Sequence, residues 1–309
     1  MVGSHSVIVA RGVRKEYRGG VVALDNLNLQ VEPGEIFGFL GPNGAGKTTL
    51  IKLVLGFIRP TTGEVALFDT HNDPATRARI GYLPERLSIP GFLTGREFLR
   101  YHGQLRRITG PELERRIETV LERVEMSDAA DRRAQTYSKG MAQRIGLAQA
   151  LLAKPDALLL DEPTSGMDPI GVQQIRQIMV EERTRGVTIF FNSHQLLEVE
   201  KTCDRVAILN RGRVVAQGRS EDLSSANGVV FELEQVSDAV RSMITGLDAG
   251  ARFQGNRVEA TIPDAEQERL LPARLVEAGA RIIQYSRRRE SLEEIFHRLV
   301  ADAGPGAGR

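Results

Sequence analysis

Residues 36 to 57 leave this chain little choice of fold. Ile36 to Leu40 is an unbroken apolar run, followed by Gly41, Pro42, Asn43, Gly44, Ala45, Gly46, Lys47 and Thr48. From Lys47 to Phe57 the apolar residues Leu50, Leu53, Val54 and Phe57 recur at helical spacing. The segment reads as a strand, a loop and a helix, and the loop matches G-x-x-x-x-G-K-[ST] in full. Its glycines let successive backbone amides point inward, and the amino end of the following helix adds partial positive charge, so such a loop cradles phosphate. Lys47 is placed to reach β and γ oxygens, Thr48 to offer its hydroxyl to Mg²⁺, and Thr49 to contact an α-phosphate. An ordinary glycine-rich turn would not explain the lysine and threonine that follow it. Kinases, GTPases and motor ATPases share this cradle, so the loop alone does not fix the reaction.

The rest of the chain is organised around that unit. Ser6 to Val13 and Val21 to Val31 alternate apolar with polar residues and predict antiparallel strands ahead of it. Glu64 to Phe68 and Ile80 to Leu83 predict further strands after a turn at Pro60 to Gly63. Thr94 and Glu97 then have capping-box spacing, and Thr109, Pro111 and Glu112 mark a second helix start. Phe92 to Tyr137 is therefore expected to be a helical insertion, within a helical subdomain covering about residues 92–150. The sheet resumes at Ala157 to Leu160, Thr188 to Asn192 and Val206 to Asn210, each preceded by a helical pattern, as parallel strands with crossover helices require. Beyond Gly218, strands are expected at Val229 to Val236, Arg252 to Ile262 and Ala280 to Tyr285, closed by a helix that Ser291 and Glu294 cap. The expected division is a first domain over 6–222, an accessory α+β domain over 223–300 and a disordered tail over 301–309.

Composition serves to exclude. Lys plus Arg number 41 against 40 Asp plus Glu, so no strong net field favours nucleic acid as a partner. The single cysteine, Cys203, suits a reducing compartment and a small buried side chain. The most apolar stretch, Ile145 to Leu160, is broken by Gln149, Lys154, Pro155 and Asp156, so it falls short of the roughly 20 apolar residues of a spanning helix. The chain is not expected to cross a membrane, and its amino terminus lacks a signal-peptide pattern. The basic run Arg287 to Arg289 reads as a solvated strand end.

A second constellation narrows the chemistry. Asp161 and Glu162 end the apolar strand that starts at Ala157, at the edge where open α/β sheets bind ligands. Asp161 is the expected Mg²⁺ partner, through water. Glu162 is placed to orient and deprotonate the water that attacks a γ-phosphate. The strand running into Phe190, Phe191, Asn192, Ser193 and His194 brings His194 to the same edge, where it would sense the γ-phosphate and position water.

With these segments in this order, the chain resembles the nucleotide-binding subunit of an ATP-binding-cassette (ABC) transporter over about residues 6–220. Tyr137, Ser138, Lys139, Gly140 and Met141 resemble the family's LSGGQ signature at a helix start. The resemblance implies an α/β P-loop ATPase domain with an antiparallel β subdomain and a helical subdomain, followed here by the small C-terminal α+β module. It implies ATP and Mg²⁺ as cofactors, held by the loop Gly41 to Thr49, with Tyr17 stacking on adenine. It also implies that Ser138, Lys139, Gly140 and Met141 contact the ATP of a second nucleotide-binding chain, so that a homodimer or a pair of such subunits sandwiches nucleotide. Asp168 matches the D-loop at the subunit interface, and Glu85 occupies the Q-loop glutamine's position near Mg²⁺. The segment from Glu85 to Gly95 would receive a coupling helix from an integral membrane permease subunit, with the ATPase peripheral on the cytoplasmic face of the membrane. Lys139, Met141 and Glu85 depart from the commonest pattern and fit the branch serving ABC-2-type exporters. The alternative is a non-transport ABC ATPase acting on ribosomes or DNA. Such proteins usually carry a second cassette or a long coiled coil, and this sequence has neither. The cargo is not encoded in these motifs.

Overall fold

The computed structural model describes residues 6–193, 195–223, 226–262, 264–289 and 291–301. The expectations for His194 and for residues 302–309 of the tail lie outside them, whereas Ala301 is the last residue of a helix. The chain divides into two compact units, one built on residues 6–220 and the other on Glu221–Arg298.

The first unit opens with β1 (Ile8–Tyr17) and β2 (Val21–Val31), which pair antiparallel with Ile8 opposite Val31. They join β4 (Thr62–Leu67) and β5 (Thr70–His71) in a sheet ordered β2-β1-β4-β5. Alternation along β1 and β2 buries Ile8, Val13, Leu27 and Val31. They share a core cluster with Leu50, Ile51, Leu53 and Val54 of α1 (Lys47–Val54). Each such side chain contributes about 1.5–3 kcal/mol when fully buried. The helix stops short of the expected Phe57 because Gly56 turns left-handed (φ 70°), with Phe57 N–H reaching back to the Lys52 carbonyl at 2.9 Å, and the side-chain amide of Asn72 donates to the carbonyls of Leu53 (3.1 Å) and Val54 (2.9 Å). Phe57 is left exposed.

The second sheet positions the site. Its strands are β3 (Ile36–Leu40), β6 (Ile80–Leu83), β7 (Ala157–Asp161), β8 (Thr188–Asn192), β9 (Arg205–Asn210) and β10 (Arg213–Arg219), in the order β10-β9-β3-β8-β7-β6. Every pairing is parallel except that of β10 with β9. Every residue of β3, β7 and β8 is buried, as strands covered on both faces must be. Phe37 stacks on Phe190 with centroids 5.9 Å apart, locking β3 to β8.

After β5, α2 (Pro74–Arg77) leads into β6, and the helical insertion follows as α3 (Gly95–Leu105), α4 (Gly110–Arg123) and α5 (Lys139–Leu151). The Thr94 hydroxyl accepts from Glu97 N–H (3.1 Å) while Glu97 accepts from Thr94 N–H (2.8 Å), so both ends of the expected capping box are made. Thr109 precedes α4 without a side-chain cap. Crossovers α6 (Pro169–Thr184) and α7 (Leu196–Thr202) connect β7 to β8 and β8 to β9. Cys203 is buried at the end of α7, and burial pushes its thiol pKa up.

α8 (Ser220–Leu223) leads into the second unit, which holds β11 (Ala226–Leu233), α9 (Asp238–Leu247), β12 (Arg252–Gln254), β13 (Arg257–Ala260), α10 (Ala265–Glu277), β14 (Ile282–Arg289) and all but the last turn of α11 (Leu292–Ala301). Its sheet runs β12-β13-β11-β14, entirely antiparallel. The span Arg252 to Ile262 is thus a hairpin rather than one strand, and α9 and α10 add to the expected strands. Phe231, Leu233, Val240, Ile244, Val258, Leu271 and Leu275 form its core. The Ser291 and Glu294 cap is made, with Ser291 Oγ accepting from Glu294 N–H at 3.2 Å.

Candidate nucleotide site

The loop Gly41–Gly46 carries the chain from the carboxyl end of β3 to the first turn of α1. Gly46 caps the helix with φ 113°, a conformation L side chains rarely adopt, and a Cβ there would lie 2.4 Å from the Ala23 carbonyl oxygen. Lys47 is buried, and its Nζ donates to the carbonyls of Gly41 (2.5 Å) and Pro42 (3.1 Å). Burial lowers its pKa, while the charges of Glu162, Asp161 and Glu85 oppose the shift. A phosphate would give that ammonium an anionic acceptor, the stronger kind of hydrogen bond. The first turn of α1 holds no acidic side chain that would occupy its positive end. At the loop's mouth the Tyr17 hydroxyl lies 3.4 Å from Thr49 Oγ1, and the half-exposed Tyr17 ring has Lys15 Nζ 5.3 Å from its centroid.

Strand register brings the acids to the same edge. Asn192 of β8 is opposite Phe39 of β3 on one side and Asp161 of β7 on the other. Its Nδ2 donates to Asp161 Oδ1 at 2.6 Å, with both residues only 2% exposed. Burial raises the Asp161 pKa, the Asn192 bond opposes this, and the charge of Glu85 raises it further. Glu85 therefore acts electrostatically on both Asp161 and Lys47. Glu162 follows with φ 52°, left-handed backbone that costs a non-glycine residue about 1–2 kcal/mol. Three bonds hold it there: Glu162 N–H donates to the Asn192 carbonyl (2.9 Å), and the Glu162 carbonyl accepts from Ser165 N–H (3.1 Å) and from Gln143 Nε2 (3.2 Å).

The donor chemistry fits a hydrated Mg²⁺. Among the described residues no cluster of three His, Cys, Asp or Glu side chains could hold a metal. Mg²⁺ instead keeps several waters and takes one or two carboxylates with phosphate oxygens. Beside the acids, Asn192 Oδ1 and Thr164 Oγ1 are buried without a hydrogen-bond partner among the described residues, the kind of orphan that ordered water satisfies.

The signature residues open α5. Ser138 Oγ accepts from Met141 N–H at 3.2 Å, which leaves the hydroxyl proton free to donate outward. Gly140 and Met141 lie in the first turn. Lys139 Nζ is 2.8 Å from Ser165 Oγ. Asp168 caps α6, its Oδ1 accepting from Gly171 N–H at 2.9 Å. The loop, Asp161 and Glu162 thus meet at one sheet edge, Tyr17 reaches Thr49 from the other sheet, and the signature is bonded within α5 and to Ser165. The sequence reading missed Asn192, Gln143 and Ser165. Asn192 carried a signal, a polar residue ending an apolar strand, but its pairing with Asp161 depends on strand order.

Residues 24–165 match the family model described as ABC transporter. The chain is 34% identical to the bacitracin transport ATP-binding protein BcrA of Bacillus licheniformis, over 96% of this chain and 97% of that protein. It is 33% identical to the daunorubicin resistance ATP-binding protein DrrA3 of Streptomyces coeruleorubidus, over 96% of each. Among solved structures, an ATP-binding subunit of an ABC transporter superposes with a TM-score of 0.66 at 28% identity, covering 71% of this chain and 92% of that one. A dimeric bacterial ABC transporter cassette superposes with a TM-score of 0.64 at 25% identity, covering 69% and 99%.

Proposed function

Because this chain belongs to the ABC transporter family as an ATP-binding subunit, we propose that it works as one half of an ATP sandwich whose hydrolysis powers export through membrane subunits supplied in trans. The observation that carries this reading is the edge where the phosphate loop, Asp161 and Glu162 meet across β3, β8 and β7. The loop amides and Lys47 hold the β- and γ-phosphates, and Tyr17 takes the adenine face. Thr48 and Asp161, with Glu85, would hold Mg²⁺, which would screen the charge of the phosphates.

Glu162 accepts the proton of a water in line with the γ-phosphorus. The water oxygen bonds to that phosphorus as its bond to the bridging oxygen breaks, ADP and phosphate leave, and the proton passes from Glu162 to phosphate or solvent. The left-handed backbone at Glu162, held by its three main-chain bonds, sets the direction in which this side chain leaves the strand end. From the sequence alone, His194 joins it in positioning the water.

Ser138 to Met141 of a second copy close on the γ-phosphate, with Asp168 at the seam. Among the described residues no helix is long and apolar enough to cross a membrane, which agrees with a peripheral subunit on the cytoplasmic face. Relatives named for bacitracin transport and daunorubicin resistance support export. The segment 223–300 would serve as an accessory domain.

Glu162→Gln tests the reading. Turnover should fall by roughly 10²–10⁴-fold, the usual share of a general base, while MgATP binding persists and a stable dimer accumulates on sedimentation. A monomer with ATP bound would reject the sandwich.

A further inference from the structure

Lys139 stands where the family's signature has its first glycine, and its ammonium has a partner within its own chain. Nζ lies 2.8 Å from Ser165 Oγ. The side chain reaches Ser165 by crossing Gly166: a Cβ on that glycine would meet Lys139 Cδ at 2.5 Å, and its φ of 77° also requires glycine. Ser165 lies between Glu162 and Asp168, and its N–H is bonded to the Glu162 carbonyl at 3.1 Å. One hydrogen bond thus joins the helix end that faces a partner's nucleotide to the turn between the general base and the D-loop.

Two features show that Ser165 is not the strongest partner this lysine could have. A neutral hydroxyl is a weaker acceptor for an ammonium than a phosphate oxygen. Lys139 is also the first residue of α5, where a cation is disfavoured by the helix dipole, and no acidic side chain in the first turn offsets it. Both the lysine and the helix end therefore favour an anion that the chain itself does not supply there.

We propose that the Lys139–Ser165 bond is a latch: in the single chain it parks the ammonium on Ser165, and on closure Lys139 leaves Ser165 for the γ-phosphate of the ATP held by the partner. This rests on the sandwich of the preceding section. The exchange ties arrival of the partner's γ-phosphate to release of the turn carrying Ser165 and Gly166, and no covalent step is involved. Lys139 thus positions the signature in the closed state, and Ser165 competes against closure.

The latch makes the two ends of one bond behave oppositely, whereas a merely structural tether would make them behave alike. The experiment measures, in full-length Glu162→Gln protein, the ATP concentration giving half-maximal dimer by analytical ultracentrifugation. Lys139→Met should raise that concentration roughly tenfold, the scale of one charge-assisted hydrogen bond. Ser165→Ala should lower it by about threefold, the scale of one ordinary hydrogen bond. The double variant should match Lys139→Met, and Lys139→Arg should restore much of the loss. MgATP binding to the single chain, followed by equilibrium dialysis, should be unchanged in all of them. Shifts of the same sign for Lys139→Met and Ser165→Ala, or no shift in Lys139→Met, overturn the latch. If the Glu162→Gln parent forms no ATP-dependent dimer, the sandwich itself fails.

Discussion

The phosphate loop and the signature are both helix amino termini built to meet phosphate, yet they differ in how far their own chain completes them. Lys47 is buried, its amine bonded to two loop carbonyls, and its helix is packed into the core through Leu50, Ile51 and Leu53. Ser138 and Lys139 are exposed, and their bonds run to the next turn of α5 and to Ser165. The loop's lysine and its helix thus find their bonds and packing within their own chain. The signature is an exposed helix start that, in the proposed sandwich, acts on the nucleotide of a second chain. On the proposed function, the difference assigns binding to one chain and closure to two.

Substitutions on either side should separate these roles. Lys47→Ala removes a charged donor from a buried site, so MgATP affinity of the single chain should fall by about 10–100-fold, as titration calorimetry would measure. Unchanged affinity would mean the loop is not the phosphate site. Asn192→Ala leaves Asp161 without its 2.6 Å partner. Such a loss costs about 1–3 kcal/mol, read as a lower denaturant midpoint, and Mn²⁺ binding in the presence of nucleotide should weaken in step. A midpoint equal to the parent's would remove Asn192 from the account. Ser138→Ala should have the smallest effect on the chain, about 1 kcal/mol from the lost helix cap. Its single-chain ATP affinity should stay the same while ATP-driven dimerisation weakens. A drop in single-chain affinity would merge the two roles that the proposed sandwich separates.

Much of this was legible because local signals agreed. The apolar run of β3, the glycine turn and the helical spacing after Lys47 all indicate the same strand-loop-helix unit. Both capping boxes, Thr94 with Glu97 and Ser291 with Glu294, are made as their spacing requires. The misses have physical causes. β10 is a half-exposed edge strand, so its alternation buries little and gives a weak pattern. In the second unit the turn at Gly255 splits a strand-like run into a hairpin, and Pro272 inside α10 interrupts a pattern that would otherwise read as helix. Asn192 and Gln143 act on Asp161 and Glu162 across 31 and 19 positions of sequence, through strand order and helix packing that no local pattern encodes. The Lys139–Ser165 contact spans 26 positions and was hidden for the same reason.

The central claim is that a complete site takes its loop from one chain and its signature from another, and mixing two crippled chains tests it most directly. Lys47→Ala and Ser138→Ala/Gly140→Asp variants would each be made in the Glu162→Gln background, then combined with MgATP and passed over a sizing column. A two-fold dimer of unlike chains pairs the one intact loop with the one intact signature, so the mixture should give a dimer holding about one ATP while neither parent alone dimerises. A dimer formed by either parent alone, or none in the mixture, would contradict a shared site.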